Sequence, residues 1–545
     1  MAPRSKRVPI PLPIRGLNTV EPFNIGIDSG YARELTNYYI KDGRLVMRPA
    51  VRDYANSAIT GTPYWIDPSN ASIAAGTYGI YGVAPGSVVV SSTGAVDSAL
   101  TGTVGGTLTN ATLCKHSSLE ILVGLRDPRR KTYPFAAYTG ADGVTPATLA
   151  MNAVKIACSH RGRLYYGAGT VINYSTVGQV LGAMPAANTL DLASVLDGQS
   201  LSRIFSVTAQ NGIASDSVFV AFGDGGKVLI YGGDNPGAAN WTLIGAFSMP
   251  APANSLCFLE IDGDIFIATS EYGYWFRELF SNGAQSAYQN SPTKPIENLW
   301  RQVGWANGAV ADYPHVFYIK EYDLIIVRSG GTQGLLSNAI GNYGGSNFVF
   351  VYHRSLGAIS LWITTTIAPG VQQNSTSLAY YAPTFNGATR LDFTSSQDYS
   401  FYWSTINAPP LPALNIETSW KTPYFAPFEG VGNKVNSVRV WFENTISGYF
   451  EKVRAIFDYS DYNSPILGWY TQSMVTQVNP ANYGDGKEDG ANQASNQYHP
   501  IIGASGAGGG VSFQFTQKAK SGSSTTQNQS IYAATAYIEE AGELW

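Results

Sequence analysis

Apolar residues in this chain come in short runs broken by Gly, Pro, Ser and Asn, with almost no stretch at the three-and-four spacing of an amphipathic helix. The runs have the length of strands, as in Tyr78–Val83, Ser87–Ser91, Val218–Phe222 and Phe348–Tyr352, and they recur as far as Tyr399–Trp403. Strands this brief and this frequent predict an all-β chain, built as a sandwich, a barrel or a propeller. Several segments share one local shape of strand, tight turn and strand: His160–Ser175, Ile261–Phe276, Gly225–Thr242 and Lys320–Val327. That shape is the hairpin of a β-propeller blade. At roughly 40 to 50 residues per blade, the span 51–412 holds about six. Stacked sandwiches are the structural alternative.

The proline-rich joint Asn407–Pro412 marks a boundary. Beyond it Val438, Val440 and Phe442 alternate onto one face, and Val453–Tyr459, Val511–Thr516 and Ile531–Ile538 repeat that pattern. Residues 413–545 therefore predict a C-terminal β-sheet or sandwich domain with one buried face. The polar, glycine-rich stretch Asn479–Gly510 reads as an exposed loop.

The first fifty residues have a different texture. Pro9, Pro11 and Pro13 punctuate apolar residues and favour an N-terminal extended arm lying along a surface. Arg15-Gly16-Leu17-Asn18 follows, then turn chemistry at Asp28-Ser29-Gly30 and a segment, Ala32 to Asn37, long enough for one or two helical turns. Lys41-Asp42-Gly43-Arg44 is a hairpin turn feeding Leu45-Val46-Met47, and Arg48-Pro49 closes the unit.

The order of Gly16, Leu17, Asn18, Thr19, Ala32, Leu35, Asn37, Gly43, Leu45, Arg48 and Pro49 resembles the N-terminal signature of the tail-nozzle proteins (tail tubular protein B) of short-tailed bacteriophages. The likeness covers the N-terminal unit in motif and the remainder in texture. It implies a structural virion protein with a β-propeller core, assembled as a hexameric ring that extends the portal-adaptor channel and conducts DNA during ejection. The implied partners are further copies of the chain, the head-tail adaptor ring, and tail fibres or the tail tip. Genomic DNA would pass through the lumen without specific binding. On this reading the chain is not an enzyme, needs no cofactor, and uses Arg15, Gly16, Leu17, Asn18, Asn37, Arg44 and Arg48 to contact neighbouring subunits or the adaptor.

Composition narrows the picture. At 545 residues the chain exceeds one core, so two or three domains are expected. Only 13% of residues are charged, so solubility rests on uncharged polar groups, as in extracellular β proteins and virion parts. A net charge of −4 argues against a protein whose main task is gripping nucleic acid. Residues 1–50 carry eight basic and four acidic side chains, whereas 413–545 carries eight basic and twelve acidic ones. Unlike ends favour a fixed head-to-tail order when tail proteins stack. Cys114, Cys158 and Cys257 lack metal spacing and read as reduced core residues. With neither a signal peptide nor a membrane-length apolar run, the chain is expected to fold in the host cytoplasm and reach the virion by assembly.

Enzyme motifs are missing: there is no HExxH, GxSxG, Walker loop or zinc spacing. His116, His160, His315, His353 and His499 are scattered without ligand spacing. Gly233–Trp241 loosely resembles the aspartate turn of sialidase-type blades, a structural device. Asp485–Gly490 offers carboxylates but lacks the EF-hand pattern, and reads as a solvated turn. Tyr272, Tyr274 and Trp275 either line a sugar site or pack between blades, and packing is favoured. The rival reading is a carbohydrate- or receptor-binding propeller on a virion or cell surface.

Overall fold

The computed structural model describes residues 4–20, 30–53, 63–66, 71–73, 76–83, 86–91, 96–102, 112–117, 119–123, 129–130, 141, 143–210, 215–303, 305, 314–329, 348–363, 372–373, 379–384, 387–392, 397–398, 414–444, 448–457, 497–498, 501–519 and 529–541. The chain is mostly β-sheet with few helices, as its apolar pattern predicts. The joint at 407–412, the turn at 485–490 and His499 lie outside the described residues.

A series of small antiparallel sheets fills the middle of the chain. They run 63–102, 112–130, 156–191, 201–248, 258–275, 315–363 and 372–392. Most are meanders of short strands, and in three of them the first strand lies near the first strand of the next sheet: Thr112–His116 beside Ile156–His160, Ile156–His160 beside Leu201–Gln210, and Phe258–Ile261 beside His315–Ile319. The sheets over 156–191, 201–248, 258–275 and 315–363 are apolar on both faces, which explains continuous apolar runs where a half-buried strand would alternate. Ile265 and Ile267 enter one core cluster while Phe266 and Ala268 enter another. In Leu324–Arg328, Ile325 and Val327 face one cluster, and Leu324 and Ile326 the other. Val218, Val220 and Phe222 likewise face away from Phe219 and Ala221. Sheets stacked face to face are the arrangement that buries both sides.

Helices α1 (Phe276–Gln289) and α2 (Glu297–Gln302) interrupt this series after the strand Gly273–Trp275. The strand, turn and strand expected over Ile261–Phe276 therefore end one residue early. Phe276, Leu279 and Ala287 bury the apolar side of α1, which breaks at Gly283 (φ 79°). Glu278 spans the break, accepting from Asn282 and Ser286 at 3.0 Å each and from Asn290 at 2.7 Å.

The N-terminal strands are β1 (Ser5–Ile10), β2 (Glu34–Thr36), β3 (Tyr38–Lys41), β4 (Arg44–Met47) and β5 (Ala50–Asp53). All five except β3 pair with strands distant in sequence. β1 and β4 both pair with Gln529–Glu540, which pairs on its other side with Asn433–Asn444. β2 lies between Ala358–Ile363 and Glu417–Lys421, so one eight-stranded sheet runs from the 315–363 meander into the C-terminal strands. β5 completes the 372–392 sheet by pairing with Gly387–Asp392. The helical expectation for Ala32 to Asn37 is corrected: Glu34, Leu35 and Thr36 pair opposite Lys421, Trp420 and Ser419, and ladder bonds on both sides outweigh a weak local helix signal.

The C-terminal strands form two layers. Val435, Val438, Val440, Ala534, Ala536 and Ile538 share a core with Trp420, Phe513 and Phe515, whose stacked pair Trp420–Phe515 has ring centroids 4.4 Å apart. Part of the loop expected over Asn479–Gly510 is instead the strand Ile501–Gly508, paired with Asn433–Arg439. Its glycines and alanines hide it from a pattern search, while backbone pairing needs no large side chain. Among the described residues no helix is long and apolar enough to cross a membrane.

Candidate functional site

The signature residues converge where the N-terminal segment joins the 315–363 meander to the C-terminal sheets. Gly16 adopts φ +84°, and a Cβ there would sit 2.4 Å from the Ile359 nitrogen. This close approach lets the Leu17 amide donate to the Ile359 carbonyl at 2.7 Å, while the Gly16 carbonyl accepts from Ala32 at 2.8 Å. The Asn18 amide donates to the Ala32 carbonyl at 2.9 Å. Thr19 donates its amide to Pro295 at 2.8 Å, and its hydroxyl bonds the Asn298 side chain, so the same stretch reaches the helical insertion. Leu17, Ala32 and Leu35 are buried beneath it.

Asn37 is the second anchor. Its φ of 58° is left-handed, which Asn tolerates better than most side chains. Its amide donates to the Leu361 carbonyl at 2.6 Å, and its side-chain oxygen accepts from the Ile363 amide at 2.7 Å and from Arg48 Nε at 3.0 Å. Arg48 returns its own amide to the Asn37 carbonyl at 2.8 Å and bonds the Pro49 carbonyl through Nη1 at 2.9 Å. Trp362 Nε1 donates to Tyr38 at 2.9 Å. The Asp42-Gly43 turn has two positive φ angles, 51° and 72°, the geometry of a tight hairpin. Gly16, Leu17, Asn18, Asn37 and Arg48 are thus buried in bonds of their own chain, whereas Arg15 and Arg44 are exposed.

The arm explains its prolines. Glu540 donates its amide to the Arg4 carbonyl, so in the β1 register Lys6, Val8 and Ile10 bond inward and Ser5, Arg7 and Pro9 turn outward. Pro9 sits where no donor is required, and with exposed Lys6 and Arg7 it blunts the free edge. Beside the arm lies an open groove of about 440 Å³, lined by Arg7, Ile10, Leu12, Trp441 and Thr535, with the Arg7 guanidinium 6.0 Å from the Trp441 ring. Arg4, Lys6, Arg15, Lys41 and Arg44 are exposed, and Arg4 Nε lies 3.7 Å from Glu540 of the same chain.

Other groups singled out by the sequence are taken up in packing. Tyr272 and Tyr274 are buried beside α1, the packing alternative. Trp241 stacks on Tyr231 at 5.2 Å while Asn240 Nδ2 donates to Asp234 at 2.7 Å, so the aspartate braces a turn over a packed indole. The three cysteines are free and buried, and burial pushes the Cys114 and Cys257 thiols up to about 12. Two histidines form a repeated clamp that sequence reading missed. His116 Nδ1 meets Ser159 Oγ at 2.9 Å, and Nε2 donates to Gln179 at 3.0 Å. His160 Nδ1 meets Ser206 Oγ at 2.8 Å, and Nε2 donates to Gly233 at 3.2 Å. Each reaches from one sheet to the next, and the signal was present as Cys114-Lys115-His116 and Cys158-Ser159-His160.

His353 ties the hairpin to the meander: Nε2 accepts from the Ile40 amide at 3.4 Å. Burial lowers its pKa from the ordinary 6.5 to about 3, although Asp323 favours the proton. The unfolded chain therefore binds a proton that the folded chain refuses. Stability attributable to this group is complete above about pH 6.5 and falls as pH drops toward 3, by up to about 1.4 kcal/mol per pH unit. Melting curves between pH 7 and pH 4.5 are expected to fall more steeply for the parent than for His353→Gln, which keeps an acceptor that does not titrate. Parallel curves would contradict this.

No protein-family model matches the chain, and no curated protein sequence matches it. Among solved structures, BBS1N in complex with ARL6DN aligns at 12% identity over 42% of this chain and 71% of that one, with a TM-score of 0.23, too low to carry an argument.

Proposed function

We propose that the protein is the nozzle of a short phage tail, a ring-forming wall around a passage for DNA. The observation that carries this reading is the double anchorage at Gly16 and Asn37, by which the signature stretch makes the 315–363 meander continuous with the C-terminal sheets. A conduit under pressure must not hinge, and a shared sheet with a common core is the arrangement that resists hinging. The two-faced sheets are read here as blades of a propeller of about six, with β5 pairing into the 372–392 sheet. The basic arm and its groove are the surface offered to a second copy or to the adaptor ring, and the acidic C-terminal part complements it.

This assigns the contact role to the exposed members of the predicted set, Arg15 and Arg44. The double variant Arg15→Glu with Arg44→Glu is expected to fold normally and to elute as a monomer from a sizing column on which the parent elutes as a ring. Identical elution of parent and variant as rings would remove these residues from the interface. A monomeric parent whose tryptophan fluorescence responds to sugars would favour the carbohydrate-binding rival.

A further inference from the structure

A row of three side chains crosses the sheet that joins the N-terminal segment to the C-terminal strands. Glu34 on β2 stands opposite Lys421, and Lys421 stands opposite Gln514 on the strand Val511–Ala519. Residues directly opposite in a sheet project from one face, so the carboxylate, amine and carboxamide lie side by side. Lys421 has 5% of its side chain exposed, and its Nζ is 3.8 Å from Glu34 Oε1. Gln514 Nε2 donates to the other carboxylate oxygen, Glu34 Oε2, at 3.1 Å and to Ser419 Oγ at 3.2 Å. One carboxylate therefore holds both an amine and an acyl group in a site largely closed to water.

We infer that this row is a self-crosslinking site, in which Lys421 and Gln514 join through an isopeptide bond with Glu34 as the proton carrier. Glu34 takes a proton from the Lys421 ammonium, an exchange favoured by burial because it converts two charges into two neutral groups. The freed lone pair on Nζ attacks Cδ of Gln514, forming the Nζ–Cδ bond. Glu34 then gives its proton to Nε2 and takes one from the acylated Nζ. The Cδ–Nε2 bond breaks, and the nitrogen leaves as ammonia, which carries away the remaining proton as ammonium. Atoms and charge balance without an oxidant, a metal or a cofactor. Holding the two strands in register supplies the proximity that makes amide exchange accessible to a lysine. The product would close a covalent loop between the strand Glu417–Lys421 and its neighbour, at the sheet that bears the load on the nozzle reading but independently of that reading.

Mass spectrometry of the denatured full-length chain tests this. The parent is expected to be lighter than its sequence by one ammonia, and a protease digest should contain a branched peptide joining the Lys421 segment to the Gln514 segment. Lys421→Arg keeps a cation without a primary amine, and Glu34→Gln removes the proton carrier. Both should have full mass and only linear peptides. Full mass in the parent after prolonged incubation at neutral pH would overturn the inference, as would an ammonia loss mapped to another peptide. The parent measurement decides even if a variant fails to fold.

Discussion

Gly16→Ala is expected to destabilise the protein by at least about 3 kcal/mol, the combined effect of a left-handed backbone and an atom driven into the chain of a neighbouring strand. The new Cβ would lie 2.4 Å from the Ile359 nitrogen and 2.6 Å from its oxygen, both backbone atoms that cannot swing aside. Relief would require the Leu17 to Ile359 hydrogen bond to break and the Gly16-Leu17 backbone to move away from Ile359. Gly43→Ala is the control. Gly43 has a comparable φ of +72°, but nothing lies within 4 Å of its Cβ position, so only the backbone cost of about 1 kcal/mol applies. Urea denaturation of the two variants should separate them clearly. Equal losses would mean that Gly16 is there for its backbone angle alone and that the close approach does not matter.

Asn37→Ala should cost about 3 to 5 kcal/mol. Its side-chain oxygen serves the part-buried Ile363 amide and the buried Arg48 guanidinium, which water reaches poorly. Removing that oxygen strips a buried cation of one acceptor and also places alanine at a left-handed φ. Since Asn37 and Arg48 act on one another, the losses from Asn37→Ala and Arg48→Ala should not add, and a double-mutant cycle should return a coupling of about 1 to 3 kcal/mol. Strict additivity would show that the two side chains hold separate parts of the joint.

Much of the fold could be read from residues whose local chemistry and tertiary role agree. Asp42-Gly43 declares its hairpin because an Asp-Gly pair readily adopts two positive φ angles, and Val438 and Val440 declare a buried face by alternation. Where tertiary pairing decides, the sequence is silent. Glu34, Leu35 and Thr36 carry no strong preference, and only Lys421 and Trp420 across the ladder make them a strand. Phe276 to Gln289 hides its helix behind Gly283 and a polar clasp on Glu278 that forms only once the chain is folded. The candidate site was legible as an ordered set of residues, but not in the bonds that set makes within the chain. Gly16, Asn37 and Arg48 were expected at contacts with other chains, and their described bonds lie within this one, because long-range partners such as Ile359 and Ile363 leave no trace in local spacing.

The central claim is that this chain assembles into a wall around a passage. Negative-stain imaging of the purified full-length protein tests it most directly: the account predicts particles with a sixfold outline and a stain-filled central hole. A field of single compact particles at concentrations well above those in an infected cell would contradict it.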